Sequence, residues 1–275
     1  MGRPFLKMNG LGNDFVVVEA RAAPFAPGPE EVRAIADRAH GVGCDQLIAI
    51  EPSSRAEAFV RFWNADGGEI AACGNGARCV AWLLMQASGR DEALLETSAG
   101  LLSASGREGG LVTVDLGEPG LGWRDIPLAE AMDTRGIELQ VGPIDAPVLH
   151  TPGCVSMGNP HVVFFVEDVA SAPVAEVGPL IENHPLFPER TNVGFAEIRA
   201  RDRIGLRVWE RGVGETRACG TGACAALVAA SRRNLTGRSA TIELLGGSLH
   251  VEWRESDGHV LMTGPTAVEF KGTLP

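Results

Sequence analysis

"RACGTGACAA", residues 217–226, sets a cysteine directly before a Gly-Thr-Gly turn and an alanine-rich run that continues to Ala230. The run of strong helix formers predicts a helix over 221–233. The preceding "WERGVGET", residues 209–216, reads as a strand end and a glycine loop. Cys219 thus falls where the first N–H groups of a helix have no intrahelical partner. A lone cysteine in such a place is ordinarily a small buried hydrophobe. The other reading is a thiol whose ionisation the positive helix end favours. Taken alone, the stretch does not choose between them.

A second copy does. "AACGNGARCV", residues 71–80, matches it at an offset of 146, the spacing from Cys73 to Cys219. Between Arg61 and Ala77, nine of seventeen positions are identical at that offset, including Trp63/Trp209, Glu69/Glu215, Gly74/Gly220 and Gly76/Gly222. Without gaps, the same offset lays "GNDFVV" (12–17) on "GNPHVV" (158–163) and Gln46 on Asn192. Three windows sharing one offset identify a tandem duplication. Each half then reads alike. A Gly-Asn turn leads into an apolar strand (15–19; 162–166), then a helix (29–40; 174–184) and a short strand (47–50; 193–198). An alternating strand (58–63; 204–209) enters the glycine loop and the long apolar helix (75–87; 221–233). "LVTVDL" and "SLHVEW" are closing strands, and "GEPGLGW" (117–123) is the candidate join. The expected domains are 1–118 and 119–264, with 265–275, which holds "TAVEFKGTLP", a strand returning to the first. One long apolar helix amid several strands predicts an α+β fold, a sheet wrapped around a helix in each half, with the site in a cleft between them.

Composition narrows the chemistry. At 275 residues with 45% hydrophobic and 21% charged residues, the chain has ample material for a buried core. A formal charge of −11 argues against a nucleic-acid surface. No apolar run is long enough to span a bilayer, and "MGRPFLKMNG" lacks the apolar core of a signal peptide, so a cytoplasmic protein without a membrane partner is expected. Six cysteines without a CxxC pair read as reduced thiols, and their spacings do not suit a zinc site, so no metal is expected. The only lysines are Lys7 and Lys271, near the chain ends. A pyridoxal-phosphate enzyme needs a Schiff-base lysine in its core, so no cofactor is expected.

Two cysteines at equivalent helix starts suit proton transfer. The glycines let a ligand approach the backbone, and the free amides can hold a carboxylate. One thiolate can take the Cα proton of an amino acid while the other thiol delivers one to the opposite face, inverting the centre. Cys44, Cys79, Cys154 and Cys224 are left as structural, the last without a partner at the offset. Asn13 and Asn159 read equally as left-handed turn residues or as ligand-facing amides. His161, inside a duplicated window, and Glu210, replacing Asn64, break the symmetry and are candidates for tuning the thiols or binding an ammonium group. A redox pair of thiols in a binding protein is the competing class.

The motifs "MNGLGNDF", "GVGCDQ", "NADGGEIAACGNGARC", "GNPH", "ERTNVGF" and "ERGVGETRACGTGACA", which run through the whole chain, resemble diaminopimelate epimerases. The resemblance implies a cofactor-independent isomerase of two pseudo-symmetric domains that interconverts LL- and meso-diaminopimelate in lysine and peptidoglycan synthesis. It implies that Cys73 and Cys219 are the acid/base pair, assisted by His161 and Glu210. It also implies a substrate site lined by Asn13, Gln46, Asn64, Asn159, Asn192, Glu210 and Arg211. Amides of Gly74, Asn75, Gly220 and Thr221 would hold the α-carboxylate. Family members are often homodimers. The first motif reads "MNG" where many relatives have "MHG", so Asn9 is given no role. Proline racemases and hydroxyproline epimerases share the two-thiol logic but differ in the second cysteine motif, and phenazine-biosynthesis isomerases lack the thiol pair.

Overall fold

The two copies share the order of their main strands and helices, the second adding a short strand at Gln140–Val141. The computed structural model describes residues 2–274. Contacts divide the chain into one unit that runs to Asp115 and resumes at Thr263, and a second spanning Leu116–Met262. In the first, the elements are β1 (Arg3–Asn9), β2 (Asp14–Glu19), α1 (Pro29–Ala36), β3 (Gln46–Glu51), β4 (Ala58–Asn64), β5 (Glu69–Ile70), α2 (Gly74–Ser88), β6 (Glu92–Thr97), β7 (Gly100–Arg107) and β8 (Leu111–Asp115). The second has β9 (Gln140–Val141), β10 (Leu149–His150), β11 (Gly153–Ser156), β12 (Pro160–Val166), α3 (Val174–Glu182), β13 (Asn192–Ala200), β14 (Arg203–Glu210), β15 (Gly214–Thr216), α4 (Gly220–Arg232), β16 (Ser239–Leu244), β17 (Gly247–Trp253) and β18 (Val260–Gly264). The final strand, β19 (Ala267–Leu274), pairs antiparallel with β1.

Pairing repeats with the sequence. β2 runs parallel to β3, and β12 parallel to β13, with Phe15 opposite Gln46 in one and His161 opposite Asn192 in the other. The next pair is antiparallel in both, matching Leu47 with Trp63 and Val193 with Trp209. Trp63 then pairs with Glu69, and Trp209 with Glu215. β4 and β14 each gain a parallel neighbour beyond the long helix, β6 and β16. In the first three of these pairings an offset of 146 carries over strand register as well as residue types; in the last, Ala58 faces Leu95 whereas Ile204 faces Ile242, one residue further on.

The long helices are the central ones. Ala223 to Ala230 are all buried, so α4 has no solvent face along that run. Alanine suits most of it because a helix buried on every side lets its neighbours approach closest with small side chains, Leu227 and Val228 being the larger ones. α2 buries Ala77 to Ala81 with Leu84 and Met85, and ends on Gly89 in the left-handed conformation at φ 69. The short helices cover the opposite sheet face. Val32 and Ile35 of α1 pack with Val16, Leu47 and Trp63, while Val177 and Ile181 of α3 pack with Phe164, Val193 and Phe195.

Both short helices stop before their expected ends. α1 ends at Ala36 rather than residue 40 because the Asp37 carboxylate accepts the Ala39 and His40 amides, closing a turn that competes with the helix. α3 ends at Glu182, two residues short of His184, which precedes Pro185; the residue before proline is disfavoured in the helical region. No helix of the described residues is long and apolar enough to cross a membrane.

Candidate active site

Each cysteine is the last extended residue before its helix, Cys73 at φ −141, ψ 116 and Cys219 at φ −125, ψ 107. Their carbonyls accept the first helical bonds, from Ala77 at 2.7 Å and Ala223 at 3.0 Å. Neither side chain caps its helix. The amides of Gly74 and Asn75, and of Gly220 and Thr221, are therefore first-turn donors beyond the reach of the helix's own carbonyls. The second glycine of each motif has a different task from the expected ligand approach. A Cβ on Gly76 would lie 2.9 Å from Ile48 Cδ1 and Phe62 Cε1, and one on Gly222 3.1 Å from Val208 Cγ2. Phe62 and Val208 are equivalent at the offset, so this glycine seats the helix on its sheet.

The two thiols differ in environment. Cys73 is half-buried, whereas Cys219 is only 4% exposed. Burial, then the charge of Glu210, pushes the Cys219 thiol well above its ordinary range, against opposing contributions from the Gly222 amide and Thr221 hydroxyl. Glu210 in turn accepts the Thr216 hydroxyl at 2.5 Å. The expectation that a helix start ionises its cysteine therefore does not hold for Cys219; desolvation and a carboxylate outweigh the helix end. Burial raises Cys44 to about 11 and Cys79 and Cys154 to about 12, consistent with inert structural thiols.

His161 also departs from expectation. Complete burial, then the Arg211 charge, lowers its pKa to about 3, so it is a neutral ring at ordinary pH. Its Nε2 lies 3.1 Å from Asn159 Oδ1, and an amide oxygen there requires the proton on Nε2. Asn159 Nδ2 points to Thr221 Oγ1 at 3.4 Å, itself 3.7 Å from Cys219 Sγ. His161 thus orients a polar chain that ends at the thiol, rather than supplying charge. Asn13 and Asn159 are not the left-handed residues of their turns; Gly12 (φ 82) and Gly158 (φ 86), equivalent at the offset, are.

In the first unit three amides have fixed orientations. Asn13 Nδ2 donates to Asp45 Oδ2 at 2.6 Å, which leaves its Oδ1 as an acceptor. Gln46 Nε2 donates to Asn64 Oδ1 at 3.0 Å, while Gln46 Oε1 is buried with no partner among the described residues. Asp45 is held by Arg38, which also binds Asp14, and Lys7 donates to Asp14 and to the Gly43 carbonyl. Although burial opposes it, these cations keep the Asp14 carboxyl well below the usual carboxylate range. In the second unit Asn192, 3% exposed, uses both amide ends on the protein: Nδ2 to the Pro160 carbonyl and Oδ1 to the Arg211 amide, each 2.9 Å. Asn192 therefore holds the Arg211 backbone.

Sequence reading missed Asp45, Glu182 and Arg78. Arg78, fully buried, donates to Asn75 Oδ1 at 2.9 Å on the first turn of α2. Its counterpart at the offset is Cys224, and a charge facing a neutral residue across a duplication was a usable signal.

Two sheet-and-helix units in tandem, each with a cysteine as helix N-cap, define a protein of the racemase and epimerase fold class. The fold matches a hydroxyproline epimerase from Agrobacterium vitis with TM-score 0.70 at 18% identity, covering 99% of this chain and 92% of that one. It likewise matches a phenazine biosynthesis protein from Bacillus anthracis with TM-score 0.69 at 15% identity, covering 100% and 99%. Those likenesses concern fold alone. The family model for diaminopimelate epimerase matches residues 5–121 and 153–268. A diaminopimelate epimerase of Phenylobacterium zucineum is 67% identical over 275 residues, 100% of this chain and 99% of the relative. Another, from Rhodopseudomonas palustris, is 55% identical over 98% of this chain and 94% of the relative. This chain belongs to the diaminopimelate epimerase family.

Proposed function

We propose that the protein interconverts LL- and meso-2,6-diaminopimelate by cofactor-independent proton transfer at Cα, with Cys73 and Cys219 as the two acid/base groups, in the synthesis of lysine and peptidoglycan precursors. The observation that carries the reading is the pair of equivalent N-capping cysteines in unequal surroundings. Cys219, buried beside Glu210, is the group held as a thiol and acts as the acid. Cys73 is then the base in this direction, and the two exchange roles in the reverse. The Cys73 sulfur takes the Cα proton, and the C–H electron pair passes into the carbanion and its α-carboxylate. The Cys219 S–H then protonates the opposite face, leaving Cys219 as the thiolate and Cys73 as the thiol. Reverse turnover or proton exchange with water resets the pair.

First-turn amides of Gly74, Asn75, Gly220 and Thr221 stabilise the carboxylate as charge develops. The distal amino-carboxylate needs acceptors and donors of fixed orientation. Asn13 Oδ1 and Gln46 Oε1 suit its ammonium; Asn64 Nδ2 and the Arg211 guanidinium suit its carboxylate. Glu210 supplies the remaining negative charge, Asn159 a polar contact held by His161, and Asn192 the seat of Arg211.

The test is deuterium entry at Cα from D2O, with LL-diaminopimelate, reductant present and no added cofactor. Exchange with inversion is expected in the parent protein and its loss in Cys73→Ala and Cys219→Ala. Reduced protein that neither exchanges nor inverts, or an alanine variant with full activity, overturns the reading.

A further inference from the structure

The Glu210–Arg211 dipeptide sits where β14 ends, Glu210 being the last residue of the strand and Arg211 the first beyond it. Its flanks converge on one buried carboxylate. Glu182, the last residue of α3 and 5% exposed, accepts the Trp209 indole N–H at 2.7 Å through Oε2 and the Gly212 amide at 2.8 Å through Oε1. Trp209 immediately precedes Glu210, and Gly212 immediately follows Arg211. A third donor, Arg190 Nη1, reaches Oε1 at 3.2 Å and supplies the opposite charge that a buried carboxylate needs.

The helix is shaped for this. Gly178, one turn before Glu182 on the same face, lies flat against the indole: a Cβ there would come within 2.5 Å of Trp209 Cγ. The ring rests on Gly178 and its N–H meets Glu182. The dipeptide itself is pinned twice more, by the Arg211 amide on Asn192 Oδ1 at 2.9 Å and by Arg211 Nη1 on the Glu189 carbonyl at 2.9 Å. At the offset, Val32 stands for Gly178 and Ala36 for Glu182. The first unit therefore has the equivalent tryptophan, Trp63, without the carboxylate. The clamp occurs only where Asn64 has been replaced by the charged Glu210.

We propose that Glu182 is a positioning residue that aims Glu210 and Arg211, so that the charged half of substrate recognition is set by a carboxylate on α3 that never meets the substrate. The inference rests on the reading of Glu210 and Arg211 as substrate-site residues. Glutamine at 182 keeps the size but turns an N–H toward either the indole or the Gly212 amide, setting donor against donor.

The experiment uses full-length Glu182→Gln and Trp209→Phe, with two readouts. The first is the steady-state split for LL-diaminopimelate: Glu182→Gln raises KM about tenfold with kcat within about threefold, since binding contacts are misaligned. The second is peptide-resolved alkylation by iodoacetamide. Cys219 becomes more reactive relative to Cys73 at fixed pH, because a displaced Glu210 no longer disfavours its thiolate. A purely structural role would lower melting temperature and active fraction but leave KM and the alkylation ratio unmoved. That result in folded Glu182→Gln overturns the proposal. If Glu182→Gln does not fold, Trp209→Phe decides in the same way, removing only the indole donor; expected is a smaller change of the same sign. A parent protein without exchange activity defeats the substrate reading alone, and the alkylation ratio then still decides the role of Glu182.

Discussion

Gly222→Ala separates the geometry of the reacting sulfur from the stability of its helix. The added methyl would sit 3.1 Å from Cys219 Sγ, 3.3 Å from Cys219 Cβ and 3.1 Å from Val208 Cγ2. Ordinary carbon contacts begin near about 3.5 Å, so the sulfur must give way by about 0.3–0.4 Å. A misplacement of about 1 Å costs roughly a hundredfold in rate, which scales to a loss of about four- to sixfold here. Stability changes less: overpacking costs about 1–3 kcal/mol, and alanine in place of glycine returns up to about 1 kcal/mol. Gly76→Ala is the control, because its methyl meets Ile48 and Phe62 at 2.9 Å, with no sulfur closer than 3.4 Å. It is expected to lose more stability than Gly222→Ala and, per unit of stability lost, less activity. Cα deuterium exchange, thermal melting and denaturant titration give the three quantities for each variant. Equal ratios of activity lost to stability lost in the two variants would refute the argument that Gly222 sets the position of the thiol.

Glu210→Gln removes the charge that helps burial to raise Cys219. The sign is downward, so Cys219 alkylation should begin at lower pH than in the parent; an unchanged or higher onset contradicts the acid role derived for it. His161, at about 3 in the folded chain against about 6.5 unfolded, binds more protons when unfolded between those values. Stability from its burial is fully present above about pH 6.5 and is lost as pH falls toward 3. His161→Gln should therefore flatten the acid side of the stability–pH curve by up to one proton, and an NMR titration should show no imidazole inflection for His161 between pH 5 and 8. An inflection there would contradict the burial argument.

Much of the candidate site's local structure was legible because the duplication supplied its own comparison. The offset that pairs Cys73 with Cys219 also pairs Gly12 with Gly158 and Phe62 with Val208, and each pair has a shared structural role. The tail 265–275 stood apart in the sequence because it had no place in the second copy. Glu182 was not. Its partners lie 27 and 30 residues away, and a glutamate near a helix end reads locally as a solvated charge. Only its mismatch with Ala36 at the offset marked it. Asn192 matched Gln46 in the alignment, yet the two amides differ: Asn192 is satisfied at both ends, and Gln46 keeps a buried acceptor.

The sequence by itself determined the duplication, the strand and helix order, and the two cysteines that begin the central helices. These follow from periodicity, glycine placement and repeated residue types, all properties of neighbours along the chain. Tertiary structure decided what state those residues are in. Cys219 is a buried thiol beside a carboxylate, His161 is neutral, and Glu210 with Arg211 hangs on a helix formed some thirty residues earlier. Desolvation and charge depend on every group within a few ångströms, and most of those groups are remote in sequence.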